Sequence, residues 1–195
     1  MNNVAATTIR LRETDRASLQ RHFTSLDNED RRLRFGTCVA DEVIASYVER
    51  LDFERDGLFA VQDETLELVA VVHVALSGTS AELGLSVIPR GRGKGLGNAL
   101  FRRAVTFLRN RGAIEVFVHC LSENGAMMHL ARKSGMRIVY AGSESDARLA
   151  LEPATAHTLA NEWFDDQKAG SVQAMRLTLR LTQAFFNFPT PVKTP

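Results

Sequence analysis

The chain has 195 residues, with 24 Lys and Arg against 23 Asp and Glu for a formal net charge of +1. That length suits one domain with an appendage, and it buries enough surface to need neither a metal nor a disulfide staple. The balanced charge argues against a general polyanion binder, and two cysteines, Cys38 and Cys120, far apart and without metal spacing, point to free thiols in a reducing compartment.

The start, MNNVAATTIR, lacks the basic flank and apolar core of a signal peptide, and the longest uncharged apolar run, 68–76, is too short to cross a bilayer. The expectation is a cytoplasmic protein that binds neither membrane nor nucleic acid. Residues 7–12 read as a short strand, and Thr14 as the N-cap of an amphipathic helix ending near Leu26. Further helices are expected over 27–35 and 41–51, the latter on the periodicity of Val43, Ile44, Tyr47, Val48 and Leu51. Three consecutive strands follow at 57–62, 66–77 and 81–87, with turn residues between them. A helix over 96–111 ends at Gly112, a buried-type strand covers 114–120, and a helix over 124–134 ends at Gly135. Strands at 136–140 and 148–151 complete a mixed α/β domain. Beyond Pro153 a helical pair is expected, 154–167 and 171–186, and then a frayed tail marked by Pro189, Pro191 and Pro195.

One segment carries chemistry. From Val87 the chain reads V-I-P-R-G-R-G-K-G-L-G-N-A-L, with glycines at 91, 93, 95 and 97 just before a helix. Glycine there permits unusual backbone angles and close approach to a ligand. The helix start offers unpaired N–H groups and a partial positive charge, which suit an anion. Arg90, Arg92 and Lys94 add charge, and no acidic residue occurs from Arg90 to Arg111. The anion is therefore read as phosphate. The spacing fits neither a P-loop nor a dinucleotide fingerprint.

It does fit the pattern R/Q-x-x-G-x-G/A, as Arg92-Gly93-Lys94-Gly95-Leu96-Gly97. This resembles the GNAT superfamily of acyl-CoA-dependent N-acetyltransferases. Val87 and Pro89 stand where that family has V-x-P, and Asn124 with Lys133-Ser134-Gly135-Met136 resembles its N-x-x-A … K-x-G-F segment. The resemblance spans roughly residues 7–151, with its specific motifs between Glu82 and Met136. It implies a mostly antiparallel central sheet flanked by helices over 1–152 and acetyl-CoA as co-substrate. Beyond it, the chain's own pattern gives a helical extension over 153–188 and a flexible tail over 189–195, and five scattered histidines without carboxylate spacing argue against a metal. Backbone amides around Gly93, Gly95, Leu96, Gly97 and Asn98, with Arg92 and Lys94 beside them, would hold the pyrophosphate. The backbone of Leu85 and Val87 would pair with the pantetheine arm and polarise the thioester carbonyl, with Asn124 on the other side.

Acetylating an amine requires removal of its proton at neutral pH. Strand alternation in Ala81–Val87 puts Glu82, Gly84 and Ser86 on one face, and Glu82 is that strand's only carboxylate. Gly84 leaves space there for a substrate. The pattern around Glu82, together with Glu123-Asn124-x-x-Met127 and Ala131-Arg-Lys-x-Gly135, is similar to bacterial protein-lysine acetyltransferases, and that similarity implies Glu82 as base. The alternative is a solvated glutamate paired with a neighbouring arginine.

Many family members carry a tyrosine where this chain has Ala131, so no general acid is assigned, although Ser122 or a water could serve. His73 and His119 read as packed or hydrogen-bonded, His129 as solvated and Cys120 as core. Arg31, Arg32 and Arg34 are candidates to steer an acidic substrate. The reading is direct transfer to a primary amine, either a protein lysine or a small molecule. The rivals from other classes are a non-catalytic acyl-CoA sensor and a nucleic-acid-binding module using the basic segment 90–111, against which the near-neutral charge and few aromatics weigh. The C-terminal helices are expected to expose an apolar face that covers the acceptor cleft, forms a homodimer contact or packs on its own domain.

Overall fold

The computed structural model describes residues 6–186; the tail expected over 189–195 lies outside them. A seven-stranded sheet has the order β1-β2-β3-β4-β5-β7-β6, built from Ile9–Arg10, Gly57–Gln62, Leu68–Ser77, Ser80–Val87, Glu115–Leu121, Arg137–Ala141 and Glu144–Ala150 as β1 to β7. Every neighbouring pair is antiparallel except β4 with β5. The helices are Arg16–Thr24, Asn28–Phe35, Asp41–Glu49, Leu96–Asn110, Gly125–Lys133 and Ala156–Phe186, α1 to α6.

Local chemistry explains the boundaries. The Asp27 carboxylate caps α2 by accepting the Asp30 amide at 2.8 Å, and Gly36 at φ +80° ends the helix. Thr14 is not a cap. A 3-10 turn over Glu13–Asp15 precedes α1, because Asp15 accepts the Arg12 amide at 2.9 Å and Glu13 pairs with Arg16 at 2.6 Å. β7 starts earlier than its apolar pattern suggests. Gly142 at φ +67° turns the chain tightly between β6 and β7, so the polar stretch Glu144-Ser-Asp-Ala147 pairs as strand.

Register sorts the sheet into two faces. Phe59 pairs with Val72 and Gly57 with Val74, and this face meets α4, where Phe107 packs edge-on to Phe59 at 5.3 Å. His73 pairs with Gly84 and Val71 with Ser86, and these residues face α1 to α3. One apolar core runs through both layers, with Phe23 and Ile44 on the second side and Phe107 and Leu108 on the first.

The expected C-terminal helical pair is one continuous helix, α6. Gly170 sits within it and Ala169 beside it is buried, so packing overrides the glycine's low helix propensity. The helix lies on α4 and β1, on the face of the sheet away from α1–α3. Asp166 pairs with the buried Arg103, while Glu162 accepts from Asn110 at 2.6 Å and Arg111 at 3.0 Å. No helix among the described residues is long and apolar enough to cross a membrane.

Candidate active site

The site begins where two strands part. β4 and β5 pair only over Ser80–Glu82 and Glu115–Phe117, although both strands continue beyond. From Leu83 onward the edge of β4 that faces β5 has no strand partner, which leaves backbone N–H and C=O groups open to an extended ligand. A cleft of about 540 Å³ follows this opening, lined by Leu85, Ser86 and Val87 on β4, by α2, by the glycine loop and by α5.

At one end of the cleft lies the glycine loop. Gly93 and Gly95 have φ of +72° and +73°, a region that side chains with a Cβ rarely occupy. A methyl built at Gly97 would sit 3.6 Å from Leu85 Cδ2, so the helix start packs closely on β4. The first amide to return to the loop is that of Ala99, bonded to the Gly95 carbonyl at 3.1 Å. Ahead of it the amides of Gly93 through Asn98 find no backbone acceptor among the described residues. Gly93, Gly95, Leu96, Gly97 and Asn98 all line the cleft, whereas Lys94 is exposed and lies outside the lining. A row of free amides at a helix N-terminus fits a pyrophosphate, and the open β4 edge fits an amide-containing arm.

Two predicted ligand residues hold the cleft together. Arg92 donates to the Val87 carbonyl at 3.2 Å and also pairs with Asp30 of α2, so its guanidinium bridges loop and helix. Asn124 caps α5 by accepting the Met127 amide at 3.0 Å, and its amide group donates to the Leu33 carbonyl at 3.3 Å. Both line the cleft while tying α2 to the elements opposite.

Beyond Val87 the face of β4 carries Gly84 and then Glu82. The space above Gly84 is filled rather than open: a methyl built there would lie 2.5 Å from Arg34 Cζ. Arg34 lines the cleft; Glu82, exposed, lies past it toward β5, where it pairs with Phe117. Arg31 and Arg32, expected to steer substrate with Arg34, are otherwise engaged. Arg31 pairs with Asp41 at 2.6 Å and donates to three backbone carbonyls, and Arg32 pairs with Glu29 and Glu123.

Arg34 is held by a chain of hydrogen bonds that no sequence motif announced. It donates to the Tyr47 oxygen at 3.0 Å; Tyr47 meets His73 Nδ1 at 2.8 Å, and His73 Nε2 meets Asp56 at 3.0 Å. With Arg34 donating, the connected arrangement has Tyr47 donating to Nδ1 and Nε2–H donating to the carboxylate. Burial pushes the Asp56 carboxyl up, but hydrogen bonds from His73 and Arg55 outweigh it and leave the group below its ordinary value. Only the register partners His73 and Gly84 hint at this chain, since α3 brings Tyr47 in from a distant stretch.

Two other histidines bear on the site. His22 is 3% exposed, bonded to the Leu68 carbonyl at 2.8 Å and to Ser86 at 2.7 Å. Burial lowers its pKa to about 4, against the pull of the carbonyl. His119 is exposed, bonded to Asp146 at 2.7 Å, and that bond raises its pKa, with Glu144, Asp146 and Glu82 adding to the effect. It shares a sheet face with Glu82, since Glu82 pairs with Phe117 two residues before it. Cys120 is buried and its thiol pKa raised by burial, as suits a core residue.

Solved structures similar to this chain share its fold. The GNAT domain of S. lividans PAT superposes with a TM-score of 0.64 at 16% identity, covering 76% of this chain and 95% of that one. The ribosomal-protein-S18-alanine N-acetyltransferase of Escherichia coli gives 0.56 at 20% identity, covering 77% and 95%. The PaiA N-acetyltransferase of Thermoplasma acidophilum, solved in complex with coenzyme A, gives 0.56 at 16% identity, covering 73% and 97%. No curated protein sequence matches significantly. The sequence signature of the Acetyltransferase (GNAT) family matches residues 15–136, from α1 through the cleft to the exit of α5, and with that match and the parted β4–β5 pair this chain belongs to the GNAT acetyltransferase family.

Proposed function

We propose that the protein is an acetyl-CoA-dependent N-acetyltransferase that transfers the acetyl group directly to a primary amine, of a protein lysine or of a small molecule. The observation that carries this reading is the cleft that runs from the free amides of the glycine loop along the open β4 edge to Leu85 and Arg34, with Glu82 farther along the same strand on the far side of Arg34. The pyrophosphate would rest on the amides of Gly93 to Asn98, with Arg92 and Lys94 adding positive charge. The pantetheine arm would pair with Leu85 and Val87, and the thioester carbonyl would meet a β4 amide. Asn124, through its cap and its bond to α2, keeps the opposite wall in place.

In the transfer, the amine nitrogen forms a bond to the acyl carbon as the carbon–sulfur bond breaks. The amine's proton passes to Glu82, directly or through water, and the sulfur leaves as a thiolate. A thiol with an ordinary pKa near 8.5 is a tolerable leaving group without a dedicated acid, which is consistent with Ala131 standing where relatives carry tyrosine. Exposure of Glu82 beside His119 leaves it accessible to an incoming amine. Domain limits of 1–152 for the transferase and 153–188 for the extension complete the proposal. α6 contributes packing on α4 and leaves Leu159, Trp163, Phe164 and Met175 exposed, the face on which a homodimer would form.

The test is an amine-acceptor panel with acetyl-CoA, followed by thiol release, for wild type and Glu82→Gln. Transfer that falls at least ~100-fold in the variant supports Glu82 as base. Acetyl-CoA binding without transfer to any amine favours the non-catalytic sensor instead.

A further inference from the structure

The arginines around the cleft differ in one respect. Arg31 pairs with Asp41, Arg32 with Glu29 and Glu123, and Arg92 with Asp30. Arg34 has no carboxylate partner among the described residues, and its Nε is buried without any partner. Its guanidinium lies among three aromatic rings, 5.6 Å from the centroid of Phe23, 4.9 Å from Phe35 and 5.7 Å from Tyr47. The ring faces hold this half-buried cation in place without neutralising it, so its positive charge stays available to an anion.

The position of this charge is specific. Gly84 is what admits it, since any side chain there would strike the guanidinium. The Tyr47–His73–Asp56 chain fixes it from behind, anchored on a carboxylate that is 3% exposed. It faces the cleft between the β4 edge, where the acyl group would lie, and Glu82, about 7 Å from Gly84 along the strand. The phosphates would bind at the other end, on the glycine loop, and so do not neutralise it.

We infer that Arg34 is a carboxylate-recognition residue, and that the substrate pair brings a carboxylate to the point where acyl group and amine meet. This rests on the acyltransferase reading above. The planar fork of arginine suits two-point binding of a carboxylate. The carboxylate has two sources: the far end of a dicarboxylic acyl chain, or the amine acceptor itself, as in a free amino acid. In the second case, docking on Arg34 places the amine beside Glu82.

The donor arm compares succinyl-CoA and malonyl-CoA with acetyl-CoA by calorimetric titration into wild type, Arg34→Gln and Arg34→Lys. The acceptor arm compares free L-amino acids with their amides, using acetyl-CoA and following thiol release. In one arm the carboxylate-bearing probe is preferred at least ~10-fold by wild type. The ratio falls toward one in Arg34→Gln and is partly restored in Arg34→Lys. Tyr47→Phe, which removes the positioning bond, lowers the same ratio by a smaller factor. Circular dichroism and thermal melts establish that each variant is folded. CoA thioesters that bind, with no carboxylate preference in either arm, overturn this inference and leave the acyltransferase reading standing. Failure of every CoA thioester to bind wild type overturns both.

Discussion

Arg92 of the glycine loop is paired with Asp30 of α2, so the charge best placed to meet a phosphate is already neutralised by a carboxylate that lines the same cleft. For Arg92 to serve a pyrophosphate it must leave Asp30 or share with it. One oxygen of Asp30 is buried without a partner, so its carboxylate is held by Arg92 through the other oxygen alone among the side-chain contacts described. Asp30→Asn should therefore tighten acetyl-CoA binding by roughly 3- to 10-fold at low salt, with the gain shrinking as salt rises. Titration at two ionic strengths checks this. A weaker-binding variant that is folded would show that the pair shapes the loop instead of competing with the ligand.

The loop glycines give a second expectation. Gly95→Ala places a Cβ at φ +73° and should cost about 1 kcal/mol of stability by denaturant unfolding. Relaxation of that strain would move the free amides, so acetyl-CoA affinity should fall more than stability does. Gly57→Ala is a contrasting control far from the cleft. Its new methyl would stand 2.7 Å from Phe107 Cε1 in the core, a loss of about 1–3 kcal/mol with little effect on ligand affinity.

His22 makes stability pH-dependent. Its folded pKa of about 4 lies below the ordinary 6.5, so the unfolded chain takes up the proton first as pH falls. Its contribution is full above about pH 6.5, declines between there and pH 4 by roughly 3 kcal/mol, and then levels. Urea unfolding at several pH values should show a steeper loss in wild type than in His22→Gln. Equal slopes would place the acid sensitivity elsewhere.

His119 behaves in the opposite sense. Its raised pKa means that its small contribution is present below the ordinary value and is lost as pH rises through the folded value. NMR titration should find it above 6.5, with Asp146→Asn bringing it down and Glu82→Gln doing so by less. A His119 titration indifferent to both changes would remove Glu82 from its neighbourhood.

The long helix α6 is tied down through Arg103, which is 3% exposed and lies 4.7 Å over the Phe59 ring. Asp166 is its carboxylate partner, and two of its other nitrogens have none. Asp166→Ala should destabilise the protein by about 1–3 kcal/mol, because a buried guanidinium loses its counter-charge. Unchanged unfolding would mean that this ion pair adds nothing to the docking of α6.

Legibility in the sequence followed the range of the interactions. The glycines, the helix starts at Asp27 and Asn124 and the strand runs of β2 to β5 are local signals, and the strand at Gly57–Gln62 matches the expected bounds residue for residue. The glycine loop was legible for the same reason, since its chemistry is backbone chemistry over a few consecutive residues. What stayed hidden depended on distant partners. Nothing in the order of residues says that Arg34 will lie over Gly84, or that Asp56, His73 and Tyr47 will join behind it. The Thr14 cap failed because Asp15 competed for the same turn. The break expected near Gly170 failed because the neighbouring Ala169 packs against the domain.

The most direct measurement is calorimetric titration of acetyl-CoA into wild type and Arg92→Glu. A micromolar Kd in wild type, weakened at least ~10-fold by the charge reversal, is the expected result for phosphates held on the Gly93–Asn98 amides beside Arg92. No binding by folded wild type would contradict the assignment of the cleft and, with it, the acetyltransferase activity proposed for this chain.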